Sequence, residues 1–154
     1  MLPSRIETER LVLREPRSTD GPLLYQAYTS DPEVTRYLVW RPHQALAETQ
    51  QFVDVCIQAW QARSHFPYVM TLQRAEHEPI GMLEARPKGH VVEVGYVLAR
   101  HYWQRGLMPE ALSAVTELCL AQPEICRVQA TCDVDDLDSV VIHACAFIQS
   151  ERAA

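Results

Sequence analysis

The sequence predicts an α+β fold built on a mixed, mostly antiparallel sheet flanked by helices. Three observations carry that prediction. Strand-like and helix-like segments follow the order strand, two helices, three strands, helix, strand, helix, which is not strict βαβ alternation. The three central strands are joined by connections too short for crossovers, so they form an antiparallel meander. With 154 residues, 47% of them apolar and 22% charged, the chain is too apolar to be disordered. At this length it buries about two thirds of its surface in one core. Residues 1–154 are therefore expected to form a single domain.

Each element has its own signal. Leu11-Val12-Leu13 is short and β-rich, and Pro16 ends it by withholding a ladder donor. Leu23, Leu24, Ala27 and Tyr28 then recur at helical spacing behind Ser18 or Asp20 as a cap, until Asp31-Pro32 interrupts. From Gln44 to Ala62 the apolar positions Leu46, Phe52, Val53, Cys56, Ile57 and Trp60 fall mainly three or four apart, without Gly or Pro, which predicts a second helix. Strand character follows over 68–72, 80–84 and 91–98, with turns expected at Glu76 to Pro79 and at Pro87-Lys88-Gly89. Helical spacing returns at Ala111, Leu112, Val115, Leu118 and Cys119 and closes at Pro123. A strand over Val128 to Cys132 and a last helix around Leu137 to Phe147 complete the series.

The net charge of −6 repels phosphate backbones and anionic lipid heads, which argues against nucleic acid and membrane surfaces as partners and mildly favours a cationic one. Five cysteines, Cys56, Cys119, Cys126, Cys132 and Cys145, are odd in number and never closer than C-x5-C. They form no zinc knuckle and no redox pair, so no metal is expected and a reduced cytoplasm is the simplest compartment. The polar N-terminus lacks the apolar run of a signal peptide, and no stretch of about 18 apolar residues occurs.

The most informative stretch runs from Val94 to Leu118. A strand ends at Leu98, and Gln104-Arg105-Gly106-Leu107-Met108-Pro109-Glu110 then opens an amphipathic helix. A basic, glycine-containing turn at a helix start offers unpaired N–H groups and a positive dipole end, which together hold phosphate. Pro109 suits a first helical turn, where its missing N–H has no partner to lose. From these residues alone, an ordinary helix start after Gly and Arg stands beside that reading.

Three segments now carry a resemblance. Thr8-Glu9-Arg10-Leu11-Val12-Leu13-Arg14, the run from Glu93 through Leu98 and Tyr102 to Leu112, and Arg127 through Asp133 occur in order and spacing. They resemble the GCN5-related N-acetyltransferases, in particular the subgroup that acetylates ribosomal proteins, over about residues 5 to 140. That family's acetyl-CoA signature is Gln or Arg, two free positions, Gly, one free position, then Gly or Ala. It falls on Trp103 through Met108, with Gly106 matching, Trp103 in the first place and Met108 in the small-residue place.

The resemblance implies acetyl-CoA as co-substrate. Backbone N–H groups of Gln104, Arg105, Gly106, Leu107 and Met108 would receive its diphosphate, and Val97, Leu98 and Ala99 would pair with its pantetheine as an added strand. Gly95 is expected at a bulge that splays this strand from the next, leaving a slot for the thioester. The implied reaction is direct acetyl transfer to a primary amine, either a protein N-terminus or a small amine. The competing class is a non-catalytic acyl-CoA-binding or regulatory domain of the same fold.

Direct transfer requires a neutral amine. Deprotonating a lysine-like ammonium at pH 7 costs about 4 to 5 kcal/mol, an α-ammonium only about 1 kcal/mol. Glu93, beside the splayed segment, is the candidate base, with a solvated strand carboxylate as the alternative and Glu84 as runner-up. An N–H near Val97 or Leu98 would stabilise the oxyanion. Asp136-Leu137-Asp138-Ser139 resembles the family's Asn-x-x-Ser, which makes Ser139 a candidate acid or CoA contact, or a helix cap. His143 is a weaker candidate acid. Beyond Ser139 the family's final hairpin is expected to be missing, which would expose a strand edge and favour a homodimer.

Overall fold

In the computed structural model, which describes residues 1–132 together with 135 and 136, the strand runs assemble into one sheet in chain order. β1 (Arg5–Glu7), β2 (Leu11–Arg14), β3 (Phe66–Leu72), β4 (Ala75–Lys88) and β5 (Val91–Leu98) pair antiparallel with their neighbours, and β6 (Arg127–Ala130) runs parallel to β5. The meander over β3 to β5 is the one the short connections require. β1 has no counterpart in the sequence reading, because only Ile6 of its three residues is buried and so short a segment shows no alternation.

Alternation along the strands divides the core in two. On one face Tyr68, Met70, Leu83, Ala85, Val92 and Val94 pack with Leu107, Met108, Ala111, Leu112, Val115 and Cys119 of α4 (Leu107–Leu120). On the other face Val69 and Met82 meet Leu24 of α1 (Asp20–Leu24), Tyr28 of the π-helical turn Tyr25–Thr29, and Val53 and Cys56 of α3 (Leu46–Ala62). A short α2 (Pro32–Thr35) is capped by the Asp31 carboxylate, which accepts the Glu33 N–H at 3.0 Å.

Local chemistry corrects several boundaries. Glu76 to Pro79 do not turn. They lie in β4, opposite a stretch of β3 whose register shifts around Thr71, and such an irregularity accommodates the missing donor of Pro79. Pro87 and Lys88 are likewise paired, with Val92 and Val91, and the turn falls on Gly89 (φ +61°) and His90. Asp20 is not a helix cap, since its buried carboxylate receives the Arg14 guanidinium at 2.8 and 2.9 Å and the Arg17 N–H at 2.7 Å. α3 opens on Ala45, and Glu48 closes its first turn by accepting the N–H groups of Gln44 and Ala45.

No helix of the described residues is long and apolar enough to cross a membrane. The helix expected over 137–147, Ser139, His143 and the stretch where the final hairpin is expected to be absent lie outside the described residues.

Candidate active site

The site begins where β6 stops. β6 pairs with Val91 through Val94 of β5, and from Gly95 onward no strand among the described residues pairs with that edge of β5. The pairing of β5 with β4 continues without a register shift through Gly95 to Leu98. The slot therefore arises from the end of β6 rather than from a bulge at Gly95. Gly95 has a different use: a Cβ there would come within 3.2 Å of Arg86 Nη2, so glycine leaves room for that guanidinium.

Of Val97, Leu98 and Ala99, only Leu98 turns its backbone polar groups toward the slot. The Ala99 N–H bonds to the Ile80 carbonyl at 2.8 Å, on the β4 side, and strand alternation puts the backbone of Val97 on that same side. Of the three residues expected along the pantetheine, Val97 and Ala99 thus turn their backbone groups to β4, and Leu98 directs its own to the other side. The Leu98 carbonyl already accepts the indole N–H of Trp103 at 2.8 Å, leaving a second lone pair and tying the following loop to the strand.

After a 3₁₀ turn at Arg100–Tyr102 the loop reverses twice through left-handed backbone, at Gln104 (φ +58°) and Gly106 (φ +72°). Gln104, Arg105 and Gly106 are exposed, and no side chain caps α4, so the leading N–H groups of the helix point into the space in front of the loop. Met108, in the place where the signature has a small residue, buries its side chain in the α4 core (1% exposed) and leaves that space clear. The Arg105 guanidinium lies over the Tyr102 ring at 5.6 Å.

Glu93 is held between two cations. Lys88 Nζ lies 2.9 Å from its carboxylate and Arg86 Nη2 3.2 Å, and these partners, Lys88 first, hold its carboxyl below the usual carboxylate range. Arg86 also reaches Glu84 at 3.3 Å, and Glu84 lies 3.3 Å from His65 Nε2. The two candidate carboxylates therefore share one arginine on the α3 face of the sheet.

Two thiols are inert by environment: burial pushes Cys56 up to about 12 and Cys119 up to about 11. Sequence reasoning missed an open pocket of about 490 Å³ lined by Val39, Trp40, His43 and Glu48, among others, between α2 and α3. It also missed the union of Arg10 and Glu110 behind the loop. The pocket is walled by the single stretch 39–48, which has no periodicity to announce it, whereas Arg10 and Glu110 meet only in the folded chain.

A mixed sheet that opens beyond Val94 and leads through an exposed loop into an uncapped helix is the architecture of an acyl-transfer domain. The chain belongs to the acetyltransferase (GNAT) domain family, whose pattern it matches over residues 10–146. It is 26% identical over 149 residues to the uncharacterized N-acetyltransferase p20 of Bacillus licheniformis, covering 94% of this chain and 82% of that one. To the uncharacterized N-acetyltransferase YnaD of Bacillus subtilis it is 28% identical, over 87% and 76% of the two chains. Among solved structures it shares its fold with a GNAT-family acetyltransferase from Bacillus anthracis (TM-score 0.81, 23% identity, 93% and 82% covered). The same holds for the microcin C7 self-immunity acetyltransferase MccE, solved with acetyl-CoA and AMP (TM-score 0.83, 15% identity, 95% and 83% covered). RimL, a ribosomal L7/L12 α-N-protein acetyltransferase solved with coenzyme A, is a further structural neighbour (TM-score 0.81, 21% identity, 93% and 82% covered).

Proposed function

We propose that this acetyltransferase passes an acetyl group from acetyl-CoA directly to a primary amine, and that an α-amine, on a peptide N-terminus or a small molecule, is its acceptor class. The observation that carries the reading is the continuity from the open side of β5 past Val94 to the exposed loop and uncapped start of α4. One extended donor fits along it, with pantetheine beside Leu98 and its diphosphate at the N–H groups of Gln104 through Met108.

In this reading the amine nitrogen attacks the thioester carbon, the C–S bond breaks, and the CoA thiolate leaves. A backbone N–H on the slot side of β5, at Leu98, steadies the oxyanion. The amine proton passes to water and toward Glu93, and Ser139, which matches the serine of the family's Asn-x-x-Ser, is the assigned proton donor to the thiolate. Burial speaks against an acetyl-cysteine at Cys56 and Cys119, whereas Cys126 is exposed and Cys132 half-buried.

The ion pairs of Glu93 support this acceptor class. A carboxylate held low by Lys88 and Arg86 is a weak proton acceptor, which suits an α-ammonium that needs about 1 kcal/mol to deprotonate better than a side-chain ammonium that needs about 4 to 5 kcal/mol. The RimL neighbour, named for an α-N-protein substrate, is in keeping with that choice.

The test follows release of the CoA thiol from acetyl-CoA in the presence of short peptides with unblocked N-termini, the same peptides N-terminally blocked but containing lysine, polyamines and aminoglycosides. Release with unblocked peptides or α-amino compounds and none with blocked lysine peptides is expected. Saturable CoA binding with no release for any amine would establish the non-catalytic reading instead.

A further inference from the structure

Behind the loop, two segments about a hundred residues apart in the chain are locked together. Glu110, in the first turn of α4, accepts three hydrogen bonds from the bend between β1 and β2: from Thr8 Oγ1 at 2.6 Å, from the Arg10 N–H at 2.8 Å and from Arg10 Nε at 2.7 Å. The same guanidinium continues forward, and Arg10 Nη1 donates to the Arg105 carbonyl at 2.8 Å. Its remaining Nη2 lies 3.5 Å from the position a Cβ on Gly106 would occupy.

We propose that Arg10 is a positioning residue for the diphosphate of the acyl donor. It fixes the peptide between Arg105 and Gly106, with Glu110 and Thr8 fixing Arg10 in turn. In a trans peptide the C=O and N–H point in opposite directions. Anchoring the Arg105 carbonyl on the Arg10 side therefore aims the Gly106 N–H away from Arg10, into the space in front of α4. Without that anchor nothing described holds the orientation, because Gln104 and Gly106 sit in left-handed backbone on either side and the loop is exposed. Glycine in particular lets the adjoining peptide turn over at little steric cost.

The carboxylate of Glu110 is suited to its part. Burial opposes its charge, yet the bonds from Thr8 and Arg10 outweigh burial and hold its carboxyl below the usual range, so it stays ionised as the fixed base of the clamp. The planar guanidinium is needed for the same reason. Only a fork presents Nε to Glu110 and Nη1 to the loop carbonyl at once, whereas a lysine ammonium supplies one point of attachment.

This inference rests on the acetyl-CoA reading above, and the experiment separates the two. Binding of CoA, of adenosine 3′-phosphate 5′-diphosphate, which is the nucleotide half with its diphosphate, and of pantetheine, the half without it, is titrated for wild type, Arg10→Ala and Arg10→Lys. Unliganded melting temperatures are recorded for all three. The expected result is that Arg10→Ala weakens CoA and the nucleotide half by the same factor, about tenfold or more, the size of one lost charge-assisted hydrogen bond. Pantetheine binding is expected to stay unchanged, and Arg10→Lys to fall between.

If Arg10→Ala is too unstable to titrate, the lysine variant alone decides. A selective loss of the diphosphate-bearing ligands supports the proposal. Equal weakening of pantetheine, or no weakening of any ligand, overturns it while leaving the acetyl-CoA reading standing. A wild-type protein that binds none of the three overturns both.

Discussion

Glu93 and Gly106 are the residues on which acetyl transfer and diphosphate binding depend most. If Glu93 accepts the amine proton, Glu93→Gln lowers turnover by about 10²-fold while acetyl-CoA affinity stays within about twofold, because the residue lies beside the slot and not on the diphosphate loop. The pH profile gives an independent check. The Glu93 carboxyl is held below its usual range by Lys88 and Arg86, so its own titration lies well to the acid side of neutrality. The rise in rate near neutral pH then belongs to the α-amine, centred at about 7.7 to 8, and Glu93→Gln should lower the curve without moving that limb. A limb that shifts in the variant would assign the titration to the enzyme instead. At Gly106, φ is +72°, and an aspartate would combine left-handed strain with a negative charge beside Arg10 at the turn that opens α4. Acetyl-CoA at a hundredfold excess over Kd stabilises a binding protein by about 2.7 kcal/mol. That gain, read as a melting shift, should be nearly absent in Gly106→Asp.

At the scale of elements, the site depends on how closely β4 lies against β5. A Cβ on Gly81 would collide with the Val97 carbonyl, a backbone atom that cannot step aside. Gly81→Ala should therefore cost about 1 to 3 kcal/mol of stability, and by displacing Val97 and Leu98 it should also weaken pantetheine binding. Denaturant midpoints and a pantetheine titration on the same variant test both effects together. On the opposite face Leu112 of α4 is fully buried under the sheet, and Leu112→Ala should lose about 2 to 5 kcal/mol without selectivity among ligands. Most of these elements were legible in the sequence from local patterns: α3 and α4 by apolar residues three to four apart, β3 and β5 as runs of β-forming residues bounded by turn residues. β1 was not, being three residues long. The turn misplaced to Glu76–Pro79 shows the other limit, since turn-forming residues also occur inside a strand whose partner is irregular.

For the whole molecule, Glu48, Glu76, Glu93 and Glu110 all have carboxyls held below their usual range, each by partners that exist only in the folded chain. A group whose folded pKa is depressed adds stability above its unfolded value, about 4.3 for glutamate. That stability is lost as pH falls through the folded value. The protein should thus hold its urea midpoint from neutrality down to about pH 5 and lose it progressively below. Glu110→Gln should be less stable than wild type at pH 7 and show a shallower loss on acidification, because it has one fewer depressed carboxyl to protonate. Equal acid slopes in the two proteins would show that the clamp around Glu110 contributes nothing to the pH dependence.

The sequence by itself determined the fold class, the antiparallel meander, the two long helices and the stretch from Val94 to Leu118 on which the site is built. Periodicity, turn residues and a linear motif are properties of neighbours in the chain. What only the tertiary structure decided concerns residues far apart in it: the slot made by the end of β6 at Ala130 in register with Val94, and the pairing of the Ala99 N–H with Ile80 that turns Leu98, rather than Val97 or Ala99, toward it. The same is true of the cations around Glu93 and of Arg10 reaching across to Arg105 and Glu110. Register and ion pairing depend on which strand lies beside which and on the burial that results, and no local pattern of residue types encodes either.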